Sequence, residues 1–323
     1  MNILSNTDIK FVSKRKLFYI ITGIAILIGI FSLLFQGFNF SIDFAGGTLI
    51  QLVFKEGKVT VGEIRDVLRE INLAGSTIQS LSNNEFIIRT AQVELQEREK
   101  ILKIIEDRLG SFEVLRVETV GPVIGQSLKQ LASLAVIFAF IGMIVYITIR
   151  FQFKYAIASI IGLGVAVLIV LGILSILQKE ISIPIIAAIL TIVGYSINNT
   201  IVIFDRLREN LKTKMRLPLG EVIDLSINQS LSRTIFTSLT TLLPVLALYF
   251  FGGTLSDFAF VLLVGITVGT YSSICVAAPI LLELRKRSKI SASTIPLTGR
   301  NEREKEVKVS KKVKGKKKKK EGR

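Results

Sequence analysis

The chain of 323 residues has no histidine, no tryptophan and a single cysteine, Cys275. Without histidine it lacks the side chain that most readily changes charge near neutrality and most often binds metals. Ser-His nucleophilic mechanisms are excluded for the same reason. One cysteine in an apolar run leaves no intrachain disulfide. Acidic groups are missing where they would matter most. Asp43, Asp205, Asp257 and Glu283 sit at the edges of long apolar runs, and no Asp or Glu falls mid-run. A proton relay needs groups that titrate, and Asn, Ser, Thr and Tyr do not do so near pH 7. This chain alone therefore cannot carry protons across the centre of a membrane. An intramembrane hydrolase would need a nucleophile and base, or paired aspartates, and has neither. No enzymatic activity, cofactor or metal site is expected.

What is present is apolar sequence. The chain is 50% hydrophobic with a mean hydropathy of +0.55, despite a formal charge of +16. That combination points to a polytopic α-helical membrane protein. Six runs are long enough to cross about 30 Å of hydrocarbon as helices: 17–35, 128–149, 155–177, 183–204, 234–251 and 258–283. The first follows Lys14-Arg15-Lys16 and is too long for a signal-peptide core, so it reads as a retained helix. Arginine and lysine crowd residues 1–16, the connection at 150–154, the connection at 205–233 and the segment after the sixth run. The positive-inside rule then places both termini in the cytoplasm and residues 36–127 outside. The tail, 284–323, carries about 17 basic residues against about 4 acidic ones and ends Lys316–Lys320. It has too few apolar residues to bury a core and reads as disordered. Its first reading is a topogenic and solubilising charge run; contact with anionic lipid or a ribosome surface is the alternative.

The outside region has the pattern of a compact domain. Thr48–Phe54 alternates like a strand, and Thr60–Ile71 has one apolar helical face. Thr77–Leu81 and Glu85–Thr90 flank a turn at Ser82-Asn83-Asn84. Val93–Leu109 reads as a second amphipathic helix and Phe112–Val120 as a last strand. The order βαββαβ is ferredoxin-like α+β.

Several polar groups interrupt the later runs. The fourth holds Thr191, Tyr195, Ser196, Asn198, Asn199 and Thr200. The fifth holds Arg233, Thr237 and Thr241 at i, i+4 and i+8, with Ser238 and Thr240 beside them; the sixth holds Thr267, Thr270, Tyr271, Ser272 and Ser273. Together they can form a polar seam between three helices. Hydroxyls of this kind also bond back to their own helix and let neighbours approach closely. Arg233 also suits a topogenic charge at a helix start.

Three stretches resemble the SecF family of protein-export membrane subunits. Ser41-Ile-Asp-Phe-Ala-Gly-Gly-Thr48 is similar to the family's GIDFxGG element, with Ser for the first Gly. Gly194–Asn210 is similar to its fourth-helix motif, and Ser226–Leu242 to the run entering its fifth helix. The resemblance implies six spans, one exported region, and a fold of the resistance-nodulation-division superfamily completed by SecD as an obligate heteromer. It implies an accessory role in late export, independent of ATP and driven by an ion gradient. Expected partners are the SecYEG translocon, with YajC as a further candidate, unfolded preprotein as substrate, and the bilayer of the inner membrane. The family's fourth-helix acid falls on Asn199 and its fifth-helix arginine on Arg233. An amide can hydrogen-bond but cannot exchange a proton. Either SecD supplies the titrating carboxylate, which we favour, or coupling in this lineage is weak or uses another ion. The candidate pathway set is Tyr195, Asn198, Asn199, Arg233, Thr237, Ser238 and Thr241. Asp43, Gly46 and Gly47 form a membrane-exit turn, with Asp43 as its cap. Asp205 and Arg206 mark the inner end of the fourth span. A self-sufficient small-molecule exporter of the same superfamily is the competing reading, disfavoured by half-size membrane content and the missing central carboxylate.

Overall fold

The computed structural model describes residues 7–293 apart from positions 56, 83, 92 and 94. Helix α1 (Arg15–Phe35) leads to a one-turn helix α2 (Ile42–Ala45) and then to the α+β domain. The domain runs β1 (Gly47–Phe54), α3 (Val61–Glu70), β2 (Thr77–Ser82), β3 (Glu85–Thr90), α4 (Leu95–Leu109) and β4 (Phe112–Val120). Strand order is β2-β3-β1-β4, with every neighbouring pair antiparallel. This is the ferredoxin-like arrangement its sequence order implies. Side chains alternate across the sheet. Ile50, Leu52, Phe54, Phe86 and Ile88 bury one face against α3 and α4. Leu49, Ile87 and Arg89 lie on the other, which is turned toward the helical bundle. Thr60 starts α3 with a capping box: its hydroxyl accepts from Glu63 N–H, and the Glu63 carboxylate accepts from Thr60 N–H. That backbone bond holds the Glu63 carboxyl below its ordinary range.

The rest is helical: α5 (Pro122–Arg150), α6 (Phe153–Ile176), α7 (Ile183–Thr213), α8 (Leu219–Phe251), α9 (Ser256–Ser272), a π-helical turn (Ser273–Ala277) and α10 (Ala278–Ser293). Among the described residues, six helical stretches are long and apolar enough to cross a membrane. Two of them run beyond the apolar sequence. Residues 205–213 and 219–233, a connection in the sequence reading, extend α7 and α8 and leave only 214–218 as a hairpin. Their helix formers and the Arg206–Glu209 pair favour helix, yet their charge hides them from a hydropathy reading. Helix α10 likewise carries the chain to Ser293, past the point where disorder is expected; the remaining tail and the Asn83 turn position lie outside the described residues.

Small residues set helix spacing. A Cβ on Gly172 would stand 2.6 Å from the Gly29 Cα, so α1 and α6 meet backbone to backbone. One turn along, Ser32 and Ser175 hydrogen-bond at 2.9 Å, and Ser175 also donates to the Gly37 carbonyl. This is the close small-residue approach common in lipid. Gly172→Leu is expected to wedge α1 away and to cost at least about 1–3 kcal/mol. Unfolding of the purified protein in micelles, followed by circular dichroism, measures it. An unchanged midpoint would show that the contact contributes nothing.

Candidate functional site

The seam forms between α7, α8 and α9, and Thr270 is its hub. Tyr195 donates to Ser238 Oγ at 3.0 Å, Ser238 and Thr270 hydroxyls bond at 2.8 Å, and the Asn199 amide donates to Thr270 Oγ1 at 3.2 Å. A second group follows toward the π-helical turn: Thr200 and Ser273 hydroxyls bond at 2.9 Å, and Ser273 reaches the Ser196 carbonyl at 3.0 Å. Asn199, Thr200, Ser196, Ser238 and Ser273 are all buried. Gly265 and Gly269 on α9 make this possible, since a Cβ on Gly265 would stand 2.0 Å from Ile192 and one on Gly269 3.1 Å from Ser196. The buried Thr234 hydroxyl has no partner among the described residues.

Not every expected residue joins this seam. Asn198, next to Asn199, is exposed, because one residue along a helix turns the side chain by about 100°. Arg233 is exposed on α8 and makes no ion pair among the described residues. Thr237 donates to the Arg233 carbonyl and Thr241 to the Thr237 carbonyl, so both spend their hydroxyls on their own helix. Arg233 is thus turned outward, with Thr237 and Thr241 half-buried on the same row, while Tyr195, Asn199 and Ser238 bond across to neighbouring helices. Thr270, the hub, is visible in the sequence only as one hydroxyl among several.

Asp205 and Arg206 lie within α7, which continues past them to Thr213. Asp205 pairs with Arg150 at 3.4 Å, and Arg206 donates to Gln229 at 2.7 Å. Asn210 donates to Ser226 and Gln229 across the α7–α8 hairpin. On α8, Asp224 accepts from Val12 N–H at 2.8 Å, and Asn228 bonds the backbone of Ile9 in both directions. These polar positions therefore fasten the hairpin and the N-terminal segment.

At the opposite end, Gly46 and Gly47 have φ of +76° and +141° and turn the chain from α2 into β1. Asp43 does not cap that turn. Ser41 Oγ accepts from Asp43 N–H, while Asp43 Oδ2 accepts from Ile183 N–H at 2.9 Å and caps α7. The orphan N–H groups and positive end of α7 draw the carboxylate there. Close by is an unforeseen cluster between the sheet and the loops of the bundle. Arg89 on β3 lies 2.8 Å from Glu180, with both side chains largely buried at 15% and 13% exposure. The pair is close without hydrogen-bond alignment at those two atoms. Lys179 pairs with Asp257 at 2.6 Å, and Arg89 donates to Gln79 at 3.1 Å. Burial pushes the Glu180 carboxyl up; Arg89 opposes this, and Asp257 and Asp43 add to it. Partners so far apart in the chain leave no sequence signal.

Six apolar helices with a ferredoxin-like domain after the first define a polytopic membrane protein with an exported α+β domain. Comparison with known proteins gives the family. Residues 100–287 match the model of the SecD/SecF protein-export membrane protein C-terminal domain, and residues 31–57 match the SecD/SecF GG motif. The protein translocase subunit SecF of Calditerrivibrio nitroreducens is 40% identical over 298 residues, 88% of this chain and 98% of that one. The protein translocase subunit SecDF of Thermus thermophilus is 44% identical over 262 residues, covering 79% of this chain and 35% of its own. The crystal structure of a Thermus SecDF, described as a translocon-associated membrane protein, superposes with a TM-score of 0.81 at 40% identity, over 88% of this chain and 39% of that chain. The chain belongs to the SecD/SecF family of protein-export membrane proteins, as a SecF-type translocase subunit.

Proposed function

We propose that the chain is the SecF half of a two-part protein-export device in the cytoplasmic membrane, with both termini in the cytoplasm and the α+β domain outside. Its partner is SecD; the relative that fuses both names in one chain supports this. The device promotes late steps of preprotein export without ATP, drawing on the proton gradient. The observation that carries the reading is the division of polar groups on α8. Ser238 faces inward to a hydroxyl seam that cannot titrate, while Arg233 is exposed and has no acidic partner among the described residues, with Thr237 and Thr241 half-buried on the same row. An exposed arginine at a membrane-helix start would gain a carboxylate partner across a subunit interface. SecD supplies that carboxylate, and its charge state controls the pairing with Arg233. The Asn199–Thr270–Ser238–Tyr195 chain holds α7, α8 and α9 as one rigid wall behind it. SecYEG hands the emerging chain over, and the exported domain holds it.

Arg233→Leu is expected to lower gradient-dependent export about tenfold, the weight of one charge-assisted contact. Asn199→Asp puts a carboxyl on the buried side of the seam, beside the Thr270 hydroxyl and away from Arg233. Export should then stay within about twofold of the parent. The assay is preprotein uptake into membrane vesicles carrying SecD, with the proton gradient imposed or collapsed. If Arg233→Leu leaves the gradient dependence intact, Arg233 has no coupling role. A large gain from Asn199→Asp would instead place the titrating site inside this subunit.

A further inference from the structure

At the bundle end opposite the α+β domain, a cavity of about 590 Å³ opens between the α5–α6 junction, α7 and the start of the C-terminal segment. Its polar lining is Arg150, Gln152, Tyr155, Arg208, Lys212 and Arg285. Four of these six are cationic. Asp205 offsets Arg150, and among the described residues no acidic side chain lines the cavity. Arg208 and Lys212 make no ion pair among the described residues. Arg285 is held in place, donating to the buried Tyr155 hydroxyl at 2.8 Å and lying 5.3 Å over its ring. Three net charges converge on one concavity with a fixed hydroxyl at its base. A topogenic charge run needs no concavity and no fixed side chain, so orientation alone does not account for this arrangement.

We propose that this cavity binds a phosphate oxyanion, presented by the headgroup of an anionic phospholipid. Guanidinium groups match phosphate oxygens in pairs, and lysine adds a point charge. A lipid is favoured over free phosphate by the rim. Ile149 lines the same cavity and is 82% exposed, at the last turn of a membrane-spanning helix. Acyl chains can follow that apolar surface while the headgroup enters the basic end. The bound headgroup would tie α5 and α6 to α7 and α10 without any protein contact.

Native mass spectrometry of the full chain, purified with its co-purifying partner and offered phosphatidylglycerol or phosphatidylcholine, tests the proposal. The parent should retain phosphatidylglycerol, and Arg208→Gln/Lys212→Gln should retain it about tenfold less, from the contribution of each basic group near an anionic headgroup. Lys214→Gln/Arg216→Gln removes the same charge at the same bundle end but outside this cavity and should bind as the parent does. Both sets alter exposed side chains, and Arg208→Gln alone gives a milder second measure. Equal loss in the two double variants, or equal retention of phosphatidylcholine by the parent, would overturn the site. Displacement of the lipid by excess inorganic phosphate would assign the cavity to a soluble phosphate and overturn the lipid reading.

Discussion

Gly47→Ala should prevent the α+β domain from assembling on the membrane bundle. A Cβ at this position would stand 2.5 Å from the Thr90 carbonyl oxygen and 3.1 Å from Ile42 Cγ2. The oxygen is backbone of β3, paired with β1, and cannot swing away without opening the sheet. The residue also sits at φ +141°, where a side chain is strained whatever the space. Strain and clash together should cost about 3–5 kcal/mol, a large share of a small domain's stability. Gly46→Ala is expected to be milder: φ is +76° and the nearest atoms, on Pro122, lie 3.2 Å away. Gly57 has the same φ of +76° with open space around it, so Gly57→Ala isolates strain from clash. Protease resistance of the exported domain in membrane vesicles should fall in the order Gly57→Ala, Gly46→Ala, Gly47→Ala, with preprotein export following it. If Gly47→Ala behaves like Gly57→Ala, the close approach is not what the glycine serves.

Arg89→Met should loosen the domain from the bundle by about 2–3 kcal/mol. Removing one partner of a buried pair leaves the other as an uncompensated charge, and the small remaining exposure of both brings the cost below the about 3–5 kcal/mol of a fully buried pair. Glu180 would then face Asp257 and Asp43 with no cation of its own. Glu180→Gln should cost less, since Arg89 keeps its bond to Gln79. The double variant should recover much of the loss, which a double-mutant cycle reads as coupling. Protonation sharpens the test. The folded-state pKa of Glu180 is raised above its ordinary 4.5, so the native protein binds this proton more tightly than the unfolded chain. Its contribution is fully present below 4.5 and is lost as pH rises through the raised value. Arg89→Met removes the opposing attraction, so the decline should steepen and extend to higher pH, and Glu180→Gln should flatten it. Hydrogen exchange at β2 and β3 across pH reports the docking directly. Identical pH profiles in all three proteins would show that the pair does not control it.

The hydroxyl seam was only half legible in the sequence. Helical spacing sets Tyr195 and Asn198 near one face with Asn199 beside them, and the structure bonds Tyr195 to Ser238, and Ser238 and Asn199 to Thr270. The same spacing does not say which side of α8 faces the bundle: it groups Arg233, Thr237 and Thr241 with Ser238, whereas Arg233 is exposed and the two threonines bond only their own helix. Polar and apolar residues are spread around that helix without one clear face, which leaves its rotation to packing. The Asp43 cap shows the same limit: a turn-forming context predicted a local partner, and a helix end far along the chain proved the stronger attraction.

The sequence by itself determined the number of long apolar helices, the βαββαβ order, the family and the lack of Asp, Glu and His in the middle of any apolar run. Each of these depends on local composition or on the order of residues, which hydropathy and strand alternation express directly. Tertiary structure alone decided that Asn199 is buried while Asn198 is not, that Arg89 meets Glu180, and that four cations surround one cavity. Those outcomes depend on helix rotation and on contacts between residues far apart in the chain, where small residues and backbone approach, rather than local preference, fix which side chains meet.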